Sequence, residues 1–145
     1  IQNIPIKRNV CVVRFSRMNY WGEGNLEIQL LKLLDKHRLK KFFSMSDFAG
    51  VSTALPYDES KIEMLLEDLR AFGKAKLVKN CAIIAVVGEE MRGRVGIMSE
   101  ASYALAQKGI SIHMVVQGAS EIGIDFVINE SKINLAVKEL HKKFF

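Results

Sequence analysis

The stretch Glu59-Ser60-Lys61-Ile62 returns as Glu130-Ser131-Lys132-Ile133, a displacement of 71 positions (130 − 59). Carried backwards without gaps, it pairs Gly22 with Gly93, Leu26 with Ile97, Leu30 with Ala101, Leu34 with Leu105 and Leu39 with Ile110. It also pairs Val51 with Ile122 and Leu69 with Leu140. Apolar positions coincide at one fixed shift along two helical segments and the strands between them, so the chain is two copies of one unit.

Periodicity gives the contents of each copy. The first opens with the β-rich run Val10-Cys11-Val12-Val13, followed by a turn-rich loop from Ser16 to Asn25 containing Gly22 and Gly24. Leu26, Leu30, Leu33 and Leu34 then fall at helical spacing, and the basic Lys36-His37-Arg38 suits a helix C-terminus. Leu39 to Met45 and Phe48 to Leu55 read as two strands, closed by Pro56-Tyr57-Asp58, with Asp58 placed to cap the next helix. Ile62, Leu65, Leu66, Leu69 and Phe72 make one face of that helix, Gly73 stops it, and Lys74 to Lys79 supplies a last strand. The order βαββαβ predicts an α+β, ferredoxin-like unit with both helices on one face of a four-stranded antiparallel sheet.

The second copy repeats the order: a strand over Ala82 to Val87, a loop from Gly88 to Gly96, a helix from Ile97 to Lys108, strands over Ile110 to Val116 and Glu121 to Ile128, and a helix from near Ser131. The chain ends at Phe145 without a fourth strand for this copy. A sheet lacking its edge strand leaves backbone groups unpaired. The spare segment Ile1-Gln2-Asn3-Ile4-Pro5-Ile6 is apolar and alternating, with Pro5 tolerable only at an edge, so it is expected to complete the second sheet. Residues 9–79 then form a first domain inserted into a second made of residues 1–8 and 80–145.

Half of the 145 residues, 49%, are apolar, enough for a real core. No run approaches the roughly 20 apolar residues of a membrane helix, and Ile1 to Asn9 lacks a signal peptide's apolar stretch, so a cytoplasmic protein without membrane partners is expected. Cys11 and Cys81 lie far apart with no C-x-x-C spacing; buried strand thiols are expected, with no metal site. The net charge of +5 comes from scattered lysines such as Lys40-Lys41 and Lys142-Lys143, the pattern of a solvated face.

Against this frame, Met114-Val115-Val116-Gln117-Gly118-Ala119-Ser120-Glu121-Ile122-Gly123-Ile124-Asp125-Phe126-Val127-Ile128 resembles the strand pair of the last ACT domain in aspartate kinases. Gly88-Glu89-Glu90-Met91-Arg92-Gly93-Arg94-Val95-Gly96 is similar to that family's strand-to-helix loop, and Ala136 to Phe145 to its terminal helix. The first unit matches in outline only. The resemblance implies a tandem ACT regulatory region in which an upstream strand completes the second domain. It further implies an amino-acid effector, lysine or threonine, bound at an ACT–ACT interface to feedback-inhibit aspartate phosphorylation by a catalytic domain in the same chain. A homodimer is expected. In lysine-sensitive members an acidic residue often follows the first helix, whereas this chain reads Lys40-Lys41-Phe42-Phe43.

A helix start exposes N–H groups that attract a carboxylate, and glycines let a ligand approach the backbone. The resemblance places the effector at that loop and the adjacent second strand. Carried onto this chain, those are Met18, Asn19, Tyr20, Trp21, Gly22, Gly24, Asn25 and Leu26, together with Phe43, Ser44, Met45, Ser46 and Asp47. The equivalent second-unit interface is Met91, Arg92, Gly93, Val95, Gly96, Gln117, Gly118, Ser120 and Glu121. Met18, Trp21 and Met45 also fit core or dimer-interface packing, and Gly93 and Gly96 backbone geometry.

No catalytic pattern is present. Gly88 to Gly93 is followed by Arg94-Val95 rather than Lys-Ser/Thr, and no complete G-x-G-x-x-G occurs. Glu89, Glu90 and Asp125 have no partner at a spacing suited to acid–base work. The chain is therefore expected to be no enzyme by itself and to hold no cofactor, with ATP and Mg²⁺ belonging to the family's upstream kinase domain. An effector-free dimerisation module is one alternative. An RRM-like RNA-binding protein is another, but Phe48-Ala49-Gly50-Val51-Ser52 and Ile122 to Phe126 lack the spaced aromatics such domains stack on RNA, so no nucleic-acid partner is expected.

Overall fold

The computed structural model describes residues 3–18, 25–118 and 123–145. The elements are β1 (Ile6–Ser16), α1 (Leu26–Lys36), β2 (Phe43–Ser46), β3 (Gly50–Pro56), α2 (Glu59–Arg70), β4 (Lys74–Val87), α3 (Ile97–Ala106), β5 (Ile112–Gln117), β6 (Gly123–Asn129) and α4 (Ile133–Phe144). They form two compact units, residues 10–79 (the first unit) and residues 1–9 with 80–145 (the second). Strands β1 and β4 contribute residues to both. No described helix is long and apolar enough to cross a membrane.

In the first unit the strand order is β2-β3-β1-β4, with β1–β3 and β2–β3 antiparallel. Period-2 alternation sends Cys11, Val13 and Phe15 of β1 and Val51 and Leu55 of β3 to the helix side. There they meet Leu26, Leu30 and Leu34 of α1 and Ile62, Leu65, Leu66 and Leu69 of α2. Each such leucine, fully buried, stabilises the unit by about 1.5–3 kcal/mol. Thr53, in the same row, is fully buried and donates its hydroxyl to the Phe43 carbonyl at 3.3 Å.

The second unit is ordered β1-β4-β6-β5. Its core joins Ala82, Ile84 and Val86 of β4 and Ile124, Phe126 and Ile128 of β6 to Ile97, Ala101 and Leu105 of α3 and Ile133, Ala136 and Leu140 of α4. The chain start completes this sheet as expected. Asn3 bridges Val87 in both directions (3.3 and 3.2 Å), the Ala85 N–H donates to the Pro5 carbonyl at 3.0 Å, and Ile4 packs against the core. Two ferredoxin-like βαββαβ units are thus the observed fold.

Element bounds shift where side chains or strained residues intervene. The segment over Leu39 to Met45, read as a strand, joins the sheet only from the Phe42 N–H, which bonds the Ala54 carbonyl at 2.8 Å, because the Leu39 N–H closes the end of α1 on the Leu34 carbonyl at 2.9 Å. The strand read from Phe48 begins at Gly50. β1 and β4 each run unbroken where breaks were expected, passing through Asn9 and Asn80. These residues are also 71 positions apart (80 − 9), and both are left-handed, with φ of 59° and 58°. The helix ends repeat as well. Arg38 (φ 56°) stands where the second copy has Gly109 (φ 69°), and the Leu39 N–H to Leu34 bond has its counterpart in Ile110 N–H to Leu105 at 3.1 Å.

Two substitutions test these backbone assignments by thermal or urea unfolding. Asn80→Val, which forces a β-branched residue into a left-handed conformation, is expected to destabilise by about 1–2 kcal/mol, while Asn80→Gly stays within about 0.5 kcal/mol. Arg38→Gly is expected to stabilise by about 0.5–1 kcal/mol, since glycine carries no Cβ penalty at a helix C-terminal left-handed position.

Candidate functional site

The first helix of the first unit starts from Asn25, whose side-chain oxygen accepts from the Ile28 N–H at 3.1 Å. At that start a cleft of about 290 Å³ opens between the helix and the β2–β3 turn. Asn25, Leu26 and Glu27 form one wall, Ser46, Asp47, Gly50 and Val51 another, and Arg17 also lines it. The Ser46 hydroxyl donates to Glu27 Oε2 at 2.8 Å and ties the two walls.

Asp47 organises the turn. Its carboxylate takes a two-pronged ion pair from Arg14, Nη1 to Oδ2 and Nη2 to Oδ1, both at 2.9 Å. Oδ1 also accepts from the amides of Ala49 and Gly50 at 2.9 and 3.1 Å. Gly50 is needed because a Cβ there would stand 2.3 Å from the Phe15 carbonyl oxygen. The Arg14 hydrogen bond, above all, holds the Asp47 carboxyl below its ordinary value; the Ala49 and Gly50 amides add to this and partial desolvation opposes it. Arg14 is further engaged by the Ser52 hydroxyl at 3.1 Å.

Arg17 is in a different situation. Its backbone N–H is bonded to the Ala49 carbonyl at 3.2 Å, but side-chain Nη1 is buried with no hydrogen-bond partner.

The expected effector residues separate on the sheet. Asn25, Leu26, Ser46 and Asp47 line the cleft. Ser44, paired with Thr53, lies on the helix side like Ser46, paired with Val51, whereas Phe43 and Met45, paired with Ala54 and Ser52, face the opposite side. Met18 is 57% exposed. Asn19, Tyr20, Trp21, Gly22 and Gly24 lie outside the described residues. Arg17, Glu27, Gly50 and Val51 line the cleft without having been singled out. Arg17 and Glu27 flank the loop on either side, and that adjacency was the available signal.

In the second unit Met91 is a core residue, 2% exposed, and so does not present its side chain at a surface. Gly93 and Gly96 adopt φ of 74° and 89° with open space at the Cβ position, so backbone conformation is what selects glycine there. Arg92, Val95, Gln117 and Gly118 are exposed, and Ser120 and Glu121 lie outside the described residues. Both cysteines are buried and free of disulfides, and burial pushes the Cys81 thiol up, away from reactivity. His113 is exposed on β5, and no group of three metal-ligating side chains occurs among the described residues.

Comparison with known proteins gives a consistent answer. Residues 84–144 match the family model of the ACT domain. The chain is 34% identical over 144 residues to the aspartokinase of Saccharomyces cerevisiae, covering 97% of this chain and 27% of that protein. The solved aspartate kinase of Clostridium acetobutylicum superposes with a TM-score of 0.88 at 22% identity, over 100% of this chain and 35% of that one. A putative C-terminal regulatory domain of aspartate kinase from Porphyromonas gingivalis gives 0.84 at 20% identity, over 100% and 98%. At these identities the solved structures speak for the fold. The chain spans about a quarter of the length of the curated relatives it matches.

Asp47→Asn keeps an acceptor for the turn amides and removes the charge. A carboxyl whose pKa is lower folded than unfolded stabilises the fold above its unfolded value, near 3.8, and the contribution is lost as pH falls through the folded value. Because the pair is exposed, the variant is expected to lose at most about 1 kcal/mol at pH 7. Unfolding midpoints measured at pH 7 and about pH 2 should show a difference that vanishes at the acid end.

Proposed function

Because the chain carries an ACT domain and resembles aspartokinases from end to end, we propose that it is a regulatory region of an aspartate kinase and binds an end-product amino acid, lysine or threonine, in the cleft at the start of α1. In this reading the amino acid binds where the cleft meets a second ACT unit. Occupancy shifts a catalytic domain of the same protein toward its inhibited state, and ATP and Mg²⁺ belong to that domain.

The observation that carries the reading is the unequal chemistry of two units with one fold. Shifted by 71 positions, Arg14, Arg17, Glu27 and Asp47 of the first unit correspond to Ala85, Gly88, Met98 and Gly118 of the second. The second unit folds in the same topology without any of these charges. The topology the two units share therefore does not require the polar groups of the first cleft, and in this reading they serve a ligand. A ligand can shift a two-state equilibrium only through unequal affinity for the states, typically by about 1–3 kcal/mol.

The effector-free pairing reading draws on Met18, Met45 and Phe48, which are 57, 46 and 62% exposed in the first unit. Both readings are compatible with a homodimer. The RNA reading loses ground, since Phe15 of β1 and Phe126 of β6 are fully buried in their cores, where no base can stack on them.

Calorimetric titration of the chain with threonine and with lysine tests the proposal. Saturable heat and a raised unfolding temperature with one of them are expected. No heat and no shift with either leaves pairing alone as the function.

A further inference from the structure

We infer that residues 3–5 are an openable strap on the second unit. They leave and rejoin the end of β4 on their own, ahead of any wider unfolding, and a latch on the start of α4 holds them at their base.

The strap is lightly built. One edge of β4 meets β6 in an unbroken register from Cys81 opposite Asn129 to Val87 opposite Gly123. Over residues 85–87 the other edge meets the chain start through three backbone bonds. Asn3 donates to the Val87 carbonyl at 3.3 Å, Val87 to the Asn3 carbonyl at 3.2 Å, and Ala85 to the Pro5 carbonyl at 3.0 Å. Pro5 has no N–H with which to return a fourth. Burial adds little, since Ile4 alone of residues 3–9 is not exposed, and it is only partly buried against the core. Few buried apolar contacts and backbone bonds beside water are the conditions under which a segment opens locally rather than with the whole fold.

The base of the strap is made differently. The Asn9 N–H donates to Glu130 Oε1 at 2.7 Å, a charge-assisted bond, and Arg8 Nη2 donates to Asn134 Oδ1 at 3.0 Å. Both acceptors lie at the start of α4, and Glu130 opens the repeated motif whose Ile133 is a core residue. A tip that opens above a fastened base closes again readily, because only the few residues beyond the latch have to be ordered anew. What the strap governs is the last residue of β4. Asn3 exchanges both bonds with Val87, and Gly88 directly after it begins the loop into α3, its carbonyl accepting from the Met91 N–H at 3.1 Å. Opening therefore frees the root of that loop, and closing fixes it.

Amide hydrogen exchange of the 145-residue chain, followed residue by residue by NMR, tests the inference. The amides of Ala85 and Val87 face the strap, whereas alternation turns those of Ile84 and Val86 toward β6. After correction for intrinsic rates, Ala85 and Val87 are expected to exchange at least about tenfold faster than Ile84 and Val86. Glu130→Ala combined with Arg8→Ala should accelerate Ala85 and Val87 by a further factor of about three to ten and leave Ile84 and Val86 unchanged. Equal protection of all four amides in the unaltered chain overturns the strap, since the edge then opens only with the sheet. Acceleration of all four alike in the double variant, or of none, overturns the latch. If the double variant fails to fold, Arg8→Ala alone and the four amides of the unaltered chain carry the test.

Discussion

The Ala85 N–H donating to the Pro5 carbonyl, with Asn3 and Val87 exchanging bonds beside it, is the constraint on which the second unit depends. Without the chain start, β4 over residues 80–87 would keep only β6 as a neighbour, and a row of N–H and C=O groups would lie open beside a core that Ile4 helps to cover. Further ties hold the segment. Asn9 donates its N–H to Glu130 at 2.7 Å, and Arg8 reaches Asn134 at 3.0 Å. Pro5 is compatible with this position because it contributes only its carbonyl there. Residues 10–79 must accordingly fold as an insertion between two parts of one sheet.

Duplication preserved backbone conformation more strictly than chemistry. The left-handed residues Asn9 and Asn80 coincide under the 71-position shift, as do the helix ends at Arg38 and Gly109 and the caps Asp58 and Asn129. At the first helix the copies part. Asn25 caps α1 with its side chain, whereas Gly96 precedes α3 in a left-handed conformation with no side-chain cap. The same substitution trend runs through the cleft, where charged residues of one copy meet Gly, Ala and Met in the other. Backbone geometry is common to both copies, and the charges at positions 14, 17, 27 and 47 belong to the first alone.

The fold was legible because burial imposes periodicity. Leu26, Leu30 and Leu34, or Ile124, Phe126 and Ile128, can be read without coordinates, since their spacing and their environment are one fact. The missing fourth strand was legible for the same reason, as a deficit in a counted pattern. Strand continuity through Asn9 and Asn80 was not, because asparagine marks a turn as readily as a left-handed strand residue. The cleft was legible only in outline. Its backbone logic pointed to Asn25, Leu26, Ser46 and Asp47, but Asp47 is committed to Arg14, a pairing across 33 positions of sequence. No local spacing encodes that choice.

That choice also sets the charge lining the cleft. If Arg14 left Asp47 free, Asp47 would be a second uncompensated acid lining the cleft beside Glu27, and the turn at Ala49 and Gly50 would lose its organising charge. By taking Asp47, Arg14 fixes the turn.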